Sequence, residues 1–130
     1  MNGQPPEKIV LDTVAVLRFL KKYEGTPDLG ELFPDSDLFI SEISEFELLS
    51  YWNITREEEA SINQMLLDLV IIPLLPEIKQ QGIIFRRVTR CKTPDSIIAA
   101  TAIILGATLI THDTGFDKIN FLGFNVMVLR

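Results

Sequence analysis

The chain has 130 residues, 18 acidic and 12 basic, for a net charge of −6; 47% are hydrophobic, and Cys and His occur once each. This length and apolar content suit one compact domain over residues 1–130 with a real core. The single Cys91 excludes an internal disulfide, and one Cys with one His excludes a Cys/His zinc site, so any metal must be held by oxygen. Apolar runs such as Leu69–Leu75, which contains Pro73, fall far short of the ~18 residues of a membrane span, and the polar start Met1–Lys8 carries two prolines. The expected setting is the reducing cytoplasm.

The acidic balance argues against coating nucleic acid by bulk charge, since such domains usually show a pI above ~9. The charge is unevenly spread. Glu24–Glu59 holds eleven acids against one base, Arg56, whereas Glu77–Lys92 holds five bases against one acid, Glu77. Both runs read as solvated helix faces, and the basic one can still meet phosphates.

Lys8–Leu11 predicts a short strand, and Val14, Leu17, Arg18 and Lys21 follow helical spacing, so a helix is expected over Val14–Lys22. Glu24–Asp37 is rich in Gly, Pro and Asp and predicts a loop with one helical turn, then a brief strand at Leu38–Ile40. Ser41–Tyr51 is expected to be the second helix. Thr55 with Glu58 three residues on matches a capping box and opens a helix through Ile62, Met65, Leu66 and Leu69. Val70–Pro73 is the next strand, and Pro76–Cys91 is expected to be helical despite Gly82. Thr93-Pro94-Asp95 predicts a helix start with a capping hydroxyl, a proline in the first turn and an acid near the positive end of the dipole. The helix Pro94–Leu105 is apolar nearly all round, which predicts burial, and Gly106 ends it. Thr108–Thr111 predicts a strand, followed by a helical turn near Phe116–Phe121 and a last strand at Asn125–Leu129. Strands alternating with helices predict an α/β fold, a mostly parallel sheet with helices on both faces.

Open parallel sheets place their ligand crevice at the carboxyl ends of the strands. Four acids are expected there: Asp12 after the first strand, Glu47 early in the second helix, Asp95 in the first turn of the buried helix, and Asp113 after the fourth strand. Each also has a local use. Asp12 can cap its helix, Glu47 can close a capping box with Ser44, Asp95 can answer the helix dipole, and Asp113 can hold an Asx turn. Converging carboxylates repel one another unless a cation or a proton neutralises them. Mg²⁺ and Mn²⁺ prefer oxygen ligands, and such ions activate water and stabilise charge on a phosphoryl group.

The succession Val10-Leu11-Asp12-Thr13, Ile40-Ser41-Glu42-Ile43-Ser44-Glu45-Phe46-Glu47-Leu48, Pro94-Asp95-Ser96-Ile97-Ile98-Ala99-Ala100-Thr101-Ala102 and Gly106-Ala107-Thr108-Leu109-Ile110-Thr111-His112-Asp113 resembles the PIN-domain nucleases. It is most similar to the short, single-domain toxins of the VapC type. The resemblance spans nearly the whole chain, and the order and spacing of the fragments are its specific part. It implies a three-layer α/β/α sandwich with about five strands, in which Asp12, Glu47, Asp95 and Asp113 surround Mg²⁺ or Mn²⁺ and cleave RNA. By that analogy Asp12 and Asp95 are the principal metal ligands, directly or through water, and Glu47 and Asp113 complete the cluster and orient the attacking water. Thr13 and Thr111 match hydroxyls that support the acids. The resemblance further implies a homodimer and a small antitoxin that inserts a segment into the active-site groove.

Two positions depart from the family pattern. Val14 stands where Asn or Ser is usual, and Gly115 replaces the second acid of T-x-D-x-D-F, with Asp117 nearby expected at the surface. Val14 supports an alternative, a catalytically degenerate PIN-like binding module. A response-regulator receiver is disfavoured because Val70–Leu74 ends without a phosphoacceptor Asp, and a haloacid-dehalogenase-type phosphatase because Val14 stands where a second Asp is needed. Arg86, Arg87 and Arg90 are spaced to cover one side of their helix, where they can contact RNA phosphates or a partner. His112 is expected to face solvent, Cys91 has no His placed near it by any motif, and Tyr51 and Trp52 are expected to end the second helix in packing or a dimer contact.

Overall fold

Ile9, Val10 and Leu11 are consecutive and apolar, and successive strand residues point to opposite faces, so all three can be buried only in a strand covered on both sides. The computed structural model describes residues 5–129 and places them in such a strand, Glu7–Leu11 (β1). The remaining strands are Ser36–Ser41 (β2), Val70–Ile72 (β3), Thr108–Thr111 (β4) and Asn125–Val128 (β5). They form one sheet of order β3-β2-β1-β4-β5 in which every neighbouring pair is parallel, with Leu11 opposite Ile40 on one side and Ile110 on the other.

The helices are Thr13–Lys22 (α1), Leu29–Leu32 (α2), Glu42–Leu49 (α3), Arg56–Leu66 (α4), Pro76–Thr89 (α5) and Thr93–Leu105 (α6), with a 3₁₀ turn at Thr114–Lys118. Ile9 and Leu11 share one core with Val16 and Phe19 of α1, Leu48 of α3 and Met65 of α4. Val10 faces the other way, into a core with Phe85 of α5, Ala99 of α6, and Phe116. The result is the expected α/β/α sandwich. From β1 the chain builds outward through β2 and β3, then returns to β1's other edge for β4 and β5, so the strand order reverses at β1. Such a reversal leaves a crevice at the carboxyl ends of the strands beside it.

Several boundaries differ from the expected ones. β2 starts at Ser36 rather than Leu38 because Ser36 and Asp37 pair with Glu7 and Lys8, and the ladder extends over polar residues. α3 ends at Leu49, so Tyr51 and Trp52 lie beyond it. Trp52 is 93% exposed, which removes the expected packing role. α6 is capped by Lys92 without a side-chain bond, and Thr93 is its first helical residue, so the expected capping hydroxyl is not used. The box Thr55–Glu58 forms in both directions, at 3.1 and 3.2 Å. No helix among the described residues is long and apolar enough to cross a membrane.

Candidate active site

Asp12 follows β1 directly, in extended geometry, and its Oδ1 accepts from the Ala15 N–H at 2.7 Å, so it caps α1. Its backbone N–H donates to the Ile110 carbonyl at 3.2 Å, tying the end of β1 to β4. The Thr111 hydroxyl, at the end of β4, donates to Asp12 Oδ2 and accepts from the Asp113 N–H at 2.9 Å. Asp12 is only 2% exposed, so these bonds fix the orientation of a nearly dry carboxylate. Asp113 in turn accepts from the Gly115 N–H at 2.7 Å, the Asx-type cap of the 3₁₀ turn. The Thr13 hydroxyl donates to Glu47 Oε1 at 2.7 Å, joining α1 to α3. The local uses of Asp12 and Asp113 and their place in the cluster are therefore compatible.

Glu47 closes no capping box with Ser44. α3 starts at Glu42 under a Ser41 cap, and the Ser44 hydroxyl is buried with no hydrogen-bond partner. Asp95 lies in the first turn of α6, half-buried. Burial pushes its pKa up, the charge of Asp113 adds to the rise, Lys92 opposes it, and Asp12 and Glu47 raise it further. Burial likewise raises Asp12, against the bonds from Thr111 and Ala15, and Asp113 and Glu47 add to the rise. Four acids from separate segments thus sense one another at the carboxyl edge of β1 and β4.

The donor set is all oxygen and mutually repelling, which suits a hard divalent cation. Among the described residues, no three acidic, His or Cys side chains stand close enough to form a ready-made cage. Mg²⁺ commonly binds through one or two carboxylates with water completing its shell, so it does not require such a cage. Asp12 and Asp95 are the residues that could hold it.

The other candidates lie elsewhere. Arg86 Nη1 donates to the Cys91 carbonyl at 2.7 Å and closes the α5–α6 connection, while Arg90 ends α5 in left-handed backbone, so the three arginines do not form one helix face. Arg86 and Arg87 border an apolar groove with Leu74 and Ile97. Cys91 is buried. His112 is half-buried rather than solvent-facing, its ring edge-on to Phe19 at 6.3 Å. Burial, then Arg18 and Lys22, push its pKa down. Lys92, three residues before Asp95, is the cation that opposes the rise at Asp95.

A sequence model of the PIN domain matches residues 9–122. No curated protein matches the chain. Among solved structures, the chain is similar to VapBC2 from Rickettsia felis bound to a DNA fragment from its promoter, at 22% identity and TM-score 0.78, covering 93% of this chain and 98% of that one. DNA-bound VapBC from Salmonella typhimurium gives 19% identity and TM-score 0.76, covering 94% and 98%. VapBC-5 from Mycobacterium tuberculosis, a member of the VapBC family of toxin–antitoxin systems, gives 20% identity and TM-score 0.68, covering 95% and 100%. Identities this low carry the fold alone, and the family rests on the match over residues 9–122. The chain belongs to the PIN domain family, the nucleases that its four sequence fragments resemble.

Proposed function

We propose that this chain is a metal-dependent endoribonuclease that hydrolyses RNA phosphodiester bonds and acts in the cytoplasm as the toxin of a toxin–antitoxin pair. The observation that carries the reading is the hydrogen-bonded network that joins Asp12, Thr111 and Asp113 at the reversal point of the sheet, with Glu47 held by Thr13 and the neighbouring acids raising the pKa of Asp95. Carboxylates that repel one another are costly in a merely structural role and useful around a cation. Bound there, Mg²⁺ or Mn²⁺ supplies Lewis-acid activation of water and neutralises charge developing on the phosphoryl group. Asp12, fixed by Ala15 and Thr111, and Asp95 would hold the ion. Glu47, oriented by Thr13, and Asp113, oriented by the Gly115 N–H, would position the attacking water. The toxin assignment draws on the VapBC complexes among the structural relatives, with a small antitoxin as partner, and a homodimer is the assembly that the sequence resemblance implies.

The test is cleavage of a mixed structured RNA by purified protein with Mn²⁺ or Mg²⁺. Cleavage lost on chelation and in Asp95→Asn is the expected result. A second reading has one observation behind it: Val14, which cannot hydrogen-bond a ligand or water, is 38% exposed at the start of α1, beside Asp12 and Thr13. If metal binds without cleavage, the chain is a degenerate PIN-like module, and Val14→Asn is the variant that restores activity.

A further inference from the structure

Arg18, Lys21 and Lys22 lie on α1, the helix that Asp12 caps. With Phe19, His112 and Leu129 they line an open cavity of about 770 Å³, and no acid lines it among the described residues. In a chain with 18 acids and 12 bases, this is a local reversal of sign. The three cations are exposed at its wall, and the volume lies within the range of ligand sites, about 300–1,000 Å³.

His112 links this cavity to the candidate active site. Its ring lines the cavity, while its neighbours Thr111 and Asp113 belong to the carboxylate network. Its Nδ1 is buried with no hydrogen-bond partner. An imidazole carries an N–H donor whichever of its nitrogens holds the proton. A donor among three cations suits the oxygens of an anion.

Four neighbouring carboxylates repel a polyanion, so a nucleic acid cut there must be held by cations beside the cluster. We propose that the cavity binds a backbone phosphate of single-stranded RNA, one that flanks the phosphate cut at the carboxylates, with Arg18 and Lys22 as its cationic contacts. The choice of RNA rests on the nuclease reading above. An acidic peptide is the competing occupant; the cavity's start one residue from Asp113 favours a ligand whose next phosphate reaches the carboxylates.

The test is binding of a labelled single-stranded RNA to full-length Asp95→Asn protein in chelator, across a salt series, so that no cleavage intervenes. Adding Arg18→Ala with Lys22→Ala is expected to weaken binding and to flatten the slope of log affinity against log salt by about 0.7, the contribution of the one phosphate charge that is no longer neutralised. A charge-matched control, Arg56→Ala with Lys79→Ala, removes two exposed cations outside the cavity and is expected to leave the slope nearly unchanged. Both pairs are at exposed positions, and equal melting temperatures verify the fold. An unchanged slope, or an equal loss in the control, overturns the site. Poly-glutamate binding that depends on Arg18 and Lys22, with RNA binding unaffected, assigns the cavity to an acidic peptide and overturns it too. If wild-type protein cleaves RNA while the slope is unchanged, the site alone fails; if it neither binds nor cleaves RNA, both readings fail.

Discussion

Thr111 is fully buried, and its hydroxyl is committed twice, donating to Asp12 and accepting from the Asp113 N–H. Thr111→Val keeps the shape and removes both bonds, leaving a nearly dry carboxylate with one donor fewer. The expected loss is about 1–3 kcal/mol, read as a lower urea midpoint at unchanged m value. An unchanged midpoint would show that these bonds contribute no net stability. Asp95 behaves in the opposite sense. Its pKa is raised above the ordinary 3.8, chiefly by burial and by Asp113, so the folded state binds its proton more tightly than the unfolded chain does. The stability this confers is fully present below pH 3.8 and is lost as pH rises through the folded value. Without metal, Asp95→Asn is therefore expected to be more stable than wild type at neutral pH, with the difference closing as pH falls toward 3.8; urea melts at several pH values check this. A difference independent of pH would contradict the burial and repulsion assigned to Asp95. At this scale the acids were legible in the sequence, because each follows a strand or opens a helix. Their partners were not. Thr111 and Asp12 are 99 residues apart and meet because β1 pairs with β4, which no local pattern announces. Gly115, which departs from the family pattern, gains a local reason: a Cβ there would stand 3.0 Å from Asp113 Oδ1, so a side chain would press on the carboxylate that caps the turn.

Elements were legible wherever periodicity and punctuation agreed. The capping box at Thr55, the stop at Gly106 with φ +65° and the buried face of α6 all follow from residue type. The boundary of β2 is set beyond the local sequence, by its ladder to β1, whereas α3 ends early within its own segment, its last turn closed by the Ser50 N–H on the Glu47 carbonyl. Gly82 reads as a weak point in α5, and the structure explains only part of it. A Cβ at this position would meet the Ser96 carbonyl oxygen at 3.5 Å and the Ala100 Cβ at 3.8 Å, ordinary contact distances against α6. Gly82→Ala is therefore expected to stabilise the protein by about 0.5–1 kcal/mol through helix propensity and reduced freedom of the unfolded chain. A lower melting temperature would mean that α5 and α6 pack more tightly than these distances indicate.

Across the whole molecule, the α/β class followed from alternating elements, but the strand order did not, because a sequence of strands and helices is compatible with several orders. The order β3-β2-β1-β4-β5 is what gathers Asp12, Glu47, Asp95 and Asp113 from positions spread over a hundred residues. The cavity beside His112 was hidden for the same reason, since Arg18 and Lys22 meet His112 only once α1 lies against β4. The proposed account is that mutually repelling carboxylates are kept together because a divalent cation neutralises them. A Mn²⁺ titration followed by thermal melting, on wild type and Asp95→Asn side by side, tests this without any knowledge of the RNA target. A ligand bound to the folded state alone raises its stability by RT ln(1 + [L]/Kd), so the wild type is expected to start lower and to finish higher than the variant as Mn²⁺ increases. Parallel curves, or a wild type that melts higher before any metal is added, would contradict it.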